Sequence, residues 1–415
     1  MELTAAPPAQ AAAPGRGARA RLVQRFLRAI RRGSLSVTLP DGTGLHHQGE
    51  QPGPHGQIVV HRWRALARMA WSGDLGFAEG RIAGEWSSPD LPRLLEVAAL
   101  NVAAMDRLLD GSWPVRLLRR IGHRRRANST AGSRRNIAFH YDLGNAFYRL
   151  WLDDSLAYSS ALAVAPGQSL EQAQALRLEH IGELLGPLPD CRVLEIGCGW
   201  GALAMHLAGA GARVTGLTLS HEQLAWAREH ATRAGLDDRL DLRLQDYRDV
   251  TEQFDRVVSI EMLEAVGEQW WPVWFRQVHD RLTAGGRAVV QVITIAEDRY
   301  AHYRTTPDFI QQFIFPGGML PTHAIVAEQA AATGLAIRHR ECFAAGYAAT
   351  LAEWRRRFHA RWPQIAALGF DDRFRRLWDY YLAYCEAGFA TGQTDVALYV
   401  LERPAVQDCL PGKLL

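Results

Sequence analysis

Lysine is nearly missing from this chain. Of its 47 lysine and arginine residues only Lys413 is a lysine, so the positive charge is carried by arginine. Cysteine is scarce too: Cys191, Cys198, Cys342, Cys385 and Cys409 are odd in number and include no CxxC pair. That excludes a disulfide framework and a paired-cysteine zinc cluster, so no metal is expected and a reducing, cytoplasmic setting is. No window approaches the roughly 18 apolar residues that a bilayer-spanning helix needs. The opening "AAPPAQAAAPGRGARA" has no apolar core of the kind a secretion signal carries, and reads as a disordered tail over residues 1–15.

What is present is ordinary in bulk and uneven in distribution. The 415 residues are 48% hydrophobic and 22% charged, enough for two or three domains with a sizeable core. Residues 1–136 hold 21 Arg against 10 Asp and Glu, whereas residues 137–415 hold 26 Lys and Arg against 34 acids. A basic first third on an acidic remainder predicts an anionic surface as partner, membrane or nucleic acid. In "RARLVQRFLRAIRR", Leu22, Val23, Phe26, Leu27 and Ile30 recur at helical spacing, with arginines over most of the remaining surface. Such a basic amphipathic helix suits an anionic leaflet, or packing on its own domain with its arginines solvated. Arg116, Arg119, Arg120, Arg124, Arg125 and Arg126 make a second basic cluster.

The chain reads as a small N-terminal α+β accessory domain over residues 16–120, a basic linker at 121–136, a long catalytic domain at 137–405 and a tail at 406–415. In the accessory domain "GQIVVHRW" is strand-like and Gly73–Leu91 is turn-rich and mixed. The long domain alternates strand and helix: "RVLEIGC", "RVTGLTL", "LDLRLQD", "FDRVVSIEM" and "RAVVQVITI" are strands, separated by helical runs. One of these, "SHEQLAWAREHATRAG", opens on Ser220 as N-cap with Gln223 at capping-box spacing. Alternation of this length predicts an α/β fold, a doubly wound and mostly parallel sheet, with its ligand beyond the carboxyl ends of the strands. A further segment near 295–370, beginning with Ile295–Leu320, reads as a lid inserted after the fifth of these strands.

The stretch "VLEIGCGWG" shows what that ligand is. Gly197, Gly199 and Ala202 fit a dinucleotide pattern, with Gly201 between. Yet Glu195 stands two positions before the first glycine, where a pyrophosphate would be repelled and an ammonium group welcomed. The second strand ends in "GLTLS" with no acid for a ribose diol, while the third ends in "LQDY", where Asp246 can accept from an adenine amino group. An acid followed by GxGxG, with a second acid after the third strand, is the pattern of S-adenosylmethionine sites.

The motifs "FHYDLGNAFYRLWLDDSLAYSSA", "VLEIGCGWG", "GLTLSHEQ", "LQDYRDV", "SIEMLEAVG", "FIFPGGMLP" and "WDYYLAYCEAGF" together resemble the cyclopropane-fatty-acyl-phospholipid synthase family. They occur in its order over roughly residues 137–403, and "GFAEGRIAGEW" resembles the accessory domain of its full-length bacterial members. The resemblance implies a class I methyltransferase fold and transfer of a one-carbon unit from S-adenosylmethionine to the cis double bond of a membrane phospholipid's acyl chain, giving a cyclopropane fatty acid. It places Tyr158, Ser159, Gly197 and Gly199 at the methionine portion of the cofactor. Thr218, Leu219 and Gln223 would border the ribose, and Gln245, Asp246 and Tyr247 the adenine. It also implies a bicarbonate base, held by Ser160, Glu264, Gln291, Ile293 and Tyr347. The best-known synthases have Cys at the position of Ser160 and His at that of Gln291. Peripheral attachment to the inner face of the membrane is implied as well. Relatives include homodimers, though nothing in these residues requires one.

The chemistry sets its own demands. An alkene that attacks a sulfonium methyl becomes a carbocation, so the site must be dry and lined with aromatic faces. Trp270, Trp271, Trp274, Phe275, Phe309, Phe313, Phe315, Trp354, Phe358, Tyr380, Tyr381 and Phe389 supply these, most of them as ordinary core. Loss of a proton from the incoming methyl closes a cyclopropane. Loss from the chain leaves a methyl-branched alkene, on the way to methyl-branched or furan fatty acids, whereas a methylene product also takes its proton from the methyl. Gln291 offers amide donors without charge, either to a bicarbonate or to backbone groups at a strand end. Glu261, three residues before Glu264, shares a helical face with it if "SIEMLEAVG" is helical. No NPPY-like tetrapeptide and no Pro-Cys nucleophile is present, which argues against a nucleic-acid substrate. A small-molecule methyltransferase and a non-enzymatic lipid-binding protein remain as rivals.

Overall fold

The structure, a computed structural model, describes residues 18–104, 143–165 and 167–405. The expected tails at 1–15 and 406–415, the linker at 121–136, the second arginine cluster and the first residues of the "FHYDLG" motif lie outside them. The chain divides into two compact units, Met1–Val115 with Asp372–Ala387, and Arg116–Asp371 with Gly388–Leu415.

The smaller unit is built on four strands, β1 (Arg32–Thr38), β2 (Gly44–Gln48), β3 (Gln51–Val60) and β4 (Trp86–Ser87), in the order β2-β1-β3-β4. Helices α1 (Ala18–Leu27), α2 (Arg64–Ile82) and α3 (Leu91–Leu100) belong to it as well. Asp90 caps α3 by accepting from the Arg93 amide, and the apolar face of α3 buries Leu91, Leu94 and Leu95. Val23, Leu27 and Ile30 are buried as well, so most of the apolar stripe read as a membrane helix lies in this unit's core; Phe26 is exposed. The turn-rich reading of Gly73–Leu91 is corrected: α2 runs on to Ile82, kinked where Gly73 takes φ 56°. Gly80 explains why glycine suits this helix, since a Cβ there would stand 3.0 Å from the Trp86 ring.

A second correction concerns domain bounds. Helix α11 (Asp372–Ala390) lies late in the chain, yet residues 372–387 belong to the smaller unit. Within that unit Arg81 pairs with buried Asp379 at 2.9 Å, the Arg376 Nε donates to the Ile82 carbonyl at 2.8 Å, and Tyr380 packs edge-on against Phe77 and Trp86. A contiguous catalytic region at 137–405 is therefore interrupted, because the aromatic face of α11 finds its core partners among N-terminal residues.

The larger unit carries a seven-stranded sheet in the order β10-β11-β9-β8-β5-β6-β7. Its strands are β5 (Arg192–Ile196), β6 (Arg213–Thr218), β7 (Leu240–Leu244), β8 (Phe254–Ile260), β9 (Leu282–Ile295), β10 (Ala336–Cys342) and β11 (Thr394–Glu402). From β9 to β7 every neighbouring pair is parallel, and β11 runs antiparallel between β9 and β10. The central strands are nearly continuous apolar runs because helices cover both faces. Between them lie α4 (Leu170–Leu185), α5 (Ala202–Gly209), α6 (His221–Arg233), α7 (Leu263–Val266), α8 (Trp271–Arg281), α9 (His323–Ala332) and α10 (Ala344–Ala360). Trp271, Trp274 and Phe275 of α8 are core, packed in one cluster with Val290, Val292 and Tyr399. The lid range is corrected in part: α9 and β10 belong to the sheet layer, β10 pairing with β11, which leaves residues 296–322 and 343–370 of that range outside them.

No helix among the described residues is long and apolar enough to cross a membrane. Trp86 is fully buried, stacks on Phe77 at 4.2 Å and donates its indole N–H to the Phe77 carbonyl at 2.8 Å. Trp86→Ala is expected to destabilise the protein by about 3–5 kcal/mol in equilibrium urea unfolding.

Candidate active site

Beyond β5 the backbone turns through Gly197, Gly199 and Gly201 at φ 85°, 54° and 87°, the left-handed region where a side chain is strained. A Cβ on Gly197 would collide with Met262, and one on Gly201 would lie 3.0 Å from the Ala227 Cβ; one on Gly199 would meet nothing within 4 Å. The outer glycines permit packing and the middle one leaves open space above the loop. Beside it Glu195 is buried, with its Oε2 unpartnered. Burial pushes its carboxyl up to about 8, against the pull of Arg177. An orphaned buried carboxylate oxygen next to an open loop fits the cationic methionine end of S-adenosylmethionine.

The next two strand ends hold the remaining cofactor candidates. The Thr218 hydroxyl donates to Gln223 Oε1 at 2.9 Å, and the Gln245 amide donates to the Thr218 carbonyl at 3.2 Å, tying β6 to β7. Ser220 caps α6 by accepting from the Gln223 amide at 3.3 Å. The Gln223 side chain turns to Thr218 instead of closing the expected capping box. Leu219 is half-buried between them. Asp246 is buried and its two oxygens accept from the Arg248 guanidinium at 2.9 and 2.7 Å. The acceptor expected for an adenine amino group is thus already paired with arginine. Tyr247 is buried with its hydroxyl unpartnered, and burial pushes its pKa to about 12.

At the carboxyl end of β8 lies a cluster of buried charge. Glu261 follows the strand directly, at φ 53°, and only then does α7 begin. The shared helical face expected for Glu261 and Glu264 is therefore corrected, since only Glu264 is helical. Glu261 Oε1 accepts from the Ser159 hydroxyl and the Gln291 amide, both at 2.7 Å, and Oε2 accepts from the Tyr347 hydroxyl at 2.8 Å. The Gln291 amide also donates to the Ser159 hydroxyl at 2.8 Å, so its partners are side chains and not strand-end backbone. Glu264 accepts from the Ile293 amide, and its Oε2 is buried without a partner. Burial, with the Glu261 charge added, raises its carboxyl to about 8. Ser160 is fully buried with its hydroxyl unpartnered. Tyr347 reaches the cluster because α10 passes close to residues 161 and 162: a Cβ on Gly346 would collide with the Leu162 carbonyl.

Of these five positions, Ser160 and Glu264 each keep an unpartnered buried oxygen. Tyr347, Gln291 and Ile293 direct their donors at the chain's own carboxylates. Sequence reasoning missed Arg177, whose guanidinium is wholly buried, donating to Gln174 Oε1 at 2.9 Å and to Ser159 Oγ at 3.2 Å. A signal existed: Gln174 and Arg177 fall on the same face of α4 as Leu170, Ala173, Leu178 and Ile181, where apolar residues belong. Of the twelve aromatic candidates, Trp354 and Phe389 lie near the cluster. Phe389 stacks on Tyr347 at 4.2 Å, and Trp354 packs against half-buried Tyr158 at 5.4 Å. Tyr158 also contacts Tyr148 and Trp151. The insertion reaches the cluster through the Met319 amide, which donates to the Glu264 carbonyl at 2.9 Å.

Residues 128–399 match the family described as mycolic acid cyclopropane synthetase. Tuberculostearic acid methyltransferase UfaA1 of Mycobacterium tuberculosis is 41% identical over 359 residues, 83% of each chain. The cyclopropane-fatty-acyl-phospholipid synthase of Escherichia coli is 38% identical over 251 residues, 60% of this chain and 63% of that one. The solved mycolic acid cyclopropane synthase CmaA1 complexed with SAH and CTAB superposes with a TM-score of 0.61 at 30% identity, over 65% of this chain and 98% of that one. The seven-stranded unit is thus a class I methyltransferase fold.

Two outcomes follow from this geometry. Gly197→Ala meets both an unfavourable φ and the Met262 side chain, so it should lower stability by roughly 1–3 kcal/mol in urea unfolding. Glu264 carries a carboxyl raised from 4.5 to about 8, so the native state keeps a proton that the unfolded chain releases. Its stabilising share is complete below about pH 4.5 and disappears as pH climbs to about 8. Melting temperatures recorded from about pH 5 to 8 should therefore fall less steeply in Glu264→Gln than in the parent protein.

Proposed function

The chain belongs to the mycolic acid cyclopropane synthetase family and is an S-adenosylmethionine-dependent methyltransferase; from that membership we propose that it methylates the cis double bond of an unsaturated acyl chain in a membrane phospholipid without closing a ring. The reading rests above all on the buried carboxylate cluster walled by Tyr347, Phe389, Trp354 and Tyr158. A dry, aromatic site with its acids at the base suits a substrate whose proton leaves after methyl transfer, not before.

S-adenosylmethionine supplies a methyl group made electrophilic by its sulfonium. Glu195 and the loop of Gly197, Gly199 and Gly201 hold its charged end. Thr218, Leu219, Gln223, Gln245 and Tyr247 border its nucleoside. A methyl group so activated would be attacked by the alkene's π pair as its bond to sulfur breaks, which would leave positive charge on the neighbouring chain carbon. Aromatic faces stabilise that charge, and exclusion of water prevents its capture. A 1,2-hydride shift moves the charge to the methylated carbon; a proton then leaves a carbon next to it, from the new methyl to give a methylene or from the neighbouring chain carbon to give a methyl-substituted alkene.

Two features favour this outcome over ring closure. Ser160 and Gln291 replace the Cys and His of the best-known ring-closing synthases. The relative aligned over 83% of both chains is named for methyl transfer, while the one named for cyclopropane formation aligns over 60% of this chain. A phospholipid substrate requires the protein to meet a membrane surface, so peripheral association is part of the proposal.

The test uses purified protein, liposomes of cis-monounsaturated phospholipid and S-adenosylmethionine with a trideuterated methyl group. Proton NMR and mass spectrometry of the released fatty acids should show one added carbon and olefinic signals without upfield cyclopropane protons. Cyclopropane signals would establish ring closure instead, and no label in any lipid would overturn the acyl-chain reading.

A further inference from the structure

The family resemblance calls for an external bicarbonate as base, and three of the donors that would hold it, on Gln291, Tyr347 and Ile293, are turned to the chain's own carboxylates. We propose that Glu261 is the base, its carboxylate occupying the anion position that a bicarbonate would otherwise fill. The inference rests on the acyl-methylation reading for its chemistry and on the side-chain geometry for its residue.

Four observations carry it. The Ser159 hydroxyl, the Gln291 amide and the Tyr347 hydroxyl all converge on this one carboxylate, at 2.7, 2.7 and 2.8 Å. Two of those three residues, Gln291 and Tyr347, are positions the resemblance assigns to bicarbonate. Arg177, wholly buried, takes its largest charge interaction from Glu261 and donates to Ser159, one bond removed from the carboxylate. A buried anion is tolerated where a cation and several donors face it, and here they do. Third, the backbone is committed to presenting the group: Glu261 adopts φ 53°, which a residue with a side chain rarely does, and its amide donates to the Gln291 carbonyl at 2.9 Å. The following residue, Met262, lies against Gly197 of the cofactor loop, so this turn of the backbone borders that loop.

The fourth observation is the contrast with its neighbour. Glu264 has one backbone donor and an unpartnered oxygen, and the Glu261 charge is among the causes that raise its carboxyl. Burial raises the Glu261 carboxyl too, but the Ser159, Tyr347 and Gln291 donors and the Arg177 charge pull against it, whereas Glu264 has only backbone donors; of the two acids, Glu261 is the better equipped to be the anion. In the step itself the Glu261 carboxylate takes one proton from the cationic chain, and the electron pair of that C–H bond becomes the new double bond. The carboxylic acid so formed returns its proton to solvent when product leaves.

Glu261→Gly makes the decisive variant, because glycine accepts φ 53° without strain and leaves both a space and three free donors. Binding is read first, by isothermal titration of sodium bicarbonate into protein saturated with S-adenosylhomocysteine. The parent protein should show no heat of binding, and Glu261→Gly should show saturable binding. Turnover on phospholipid liposomes comes second. In carbon-dioxide-free buffer the parent should keep its full rate, while Glu261→Gly should fall by about a hundredfold or more and regain at least about tenfold when bicarbonate is added. Unchanged S-adenosylhomocysteine affinity in the variant shows that it is folded. Bicarbonate binding by the parent, loss of parental activity without it, or a variant as fast as the parent without it would each overturn the assignment. Should neither protein methylate any lipid, the acyl reading fails, and the binding measurement still decides whether Glu261 fills an anion site.

Discussion

A guanidinium sealed away from water is the constraint on which the active site depends. Arg177 sits wholly buried on α4, a helix that starts with a reciprocal Ser169–Gln172 cap. Removing such a charge from solvent costs several kcal/mol unless acids and acceptors surround it. Glu261 and Asp153 supply the opposite charge, and Gln174 and Ser159 the acceptors. One cation cannot neutralise every acid nearby. Burial pushes Glu195 and Glu264 up to about 8, so both are balanced by protons or, at Glu195, by the cation of an arriving ligand. Cofactor binding thus completes a charge balance that the protein alone leaves open.

Much of this arrangement was legible in the residues. Apolar strand runs, the glycines after β5 and the acid two residues ahead of them located the sheet and its cofactor loop, because those signals are local. The charge cluster was not local. Ser159, Arg177, Glu261, Gln291 and Tyr347 come from five separate elements, and spacing along the chain says nothing about which of them meet. Glu261 was visible as a second acid near Glu264, but helical spacing gave it the wrong geometry. Its left-handed φ breaks the pattern before α7 begins. Asp246 adds a partner that the strand-end motif did not show, since its near neighbour Arg248 donates to both of its oxygens.

Domain bounds failed for a similar reason. Residues 372–387 look like the end of the catalytic region, yet their ion pair and aromatic contacts are with Arg81, Phe77 and Trp86. A helix joins the core that buries its apolar face, whatever its position in the chain. The basic helix at the N-terminus obeys that rule too. Val23, Leu27 and Ile30 serve the core of their own unit, so an attraction of this region to anionic lipid would come from arginine charge more than from inserted side chains.

The two glutamates at the end of β8 separate strength of a base from its position. A carbocation is acidic enough that nearly any carboxylate can accept its proton, so selectivity between ring and alkene comes from which C–H bond the acceptor faces. A free anion settles where its donors and the substrate allow, and can follow a moving chain. A glutamate fixed by three donors and a committed backbone cannot. If proton loss waits for the hydride shift, the chain carbon has time to rearrange before it meets the fixed acceptor, whereas a base resting against the incoming methyl would intercept the first cation and close the ring. The donors of Ser159, Gln291 and Tyr347 thereby act on the product through geometry, by holding one oxygen pair in place, and the dryness of the aromatic wall gives the rearrangement time to occur.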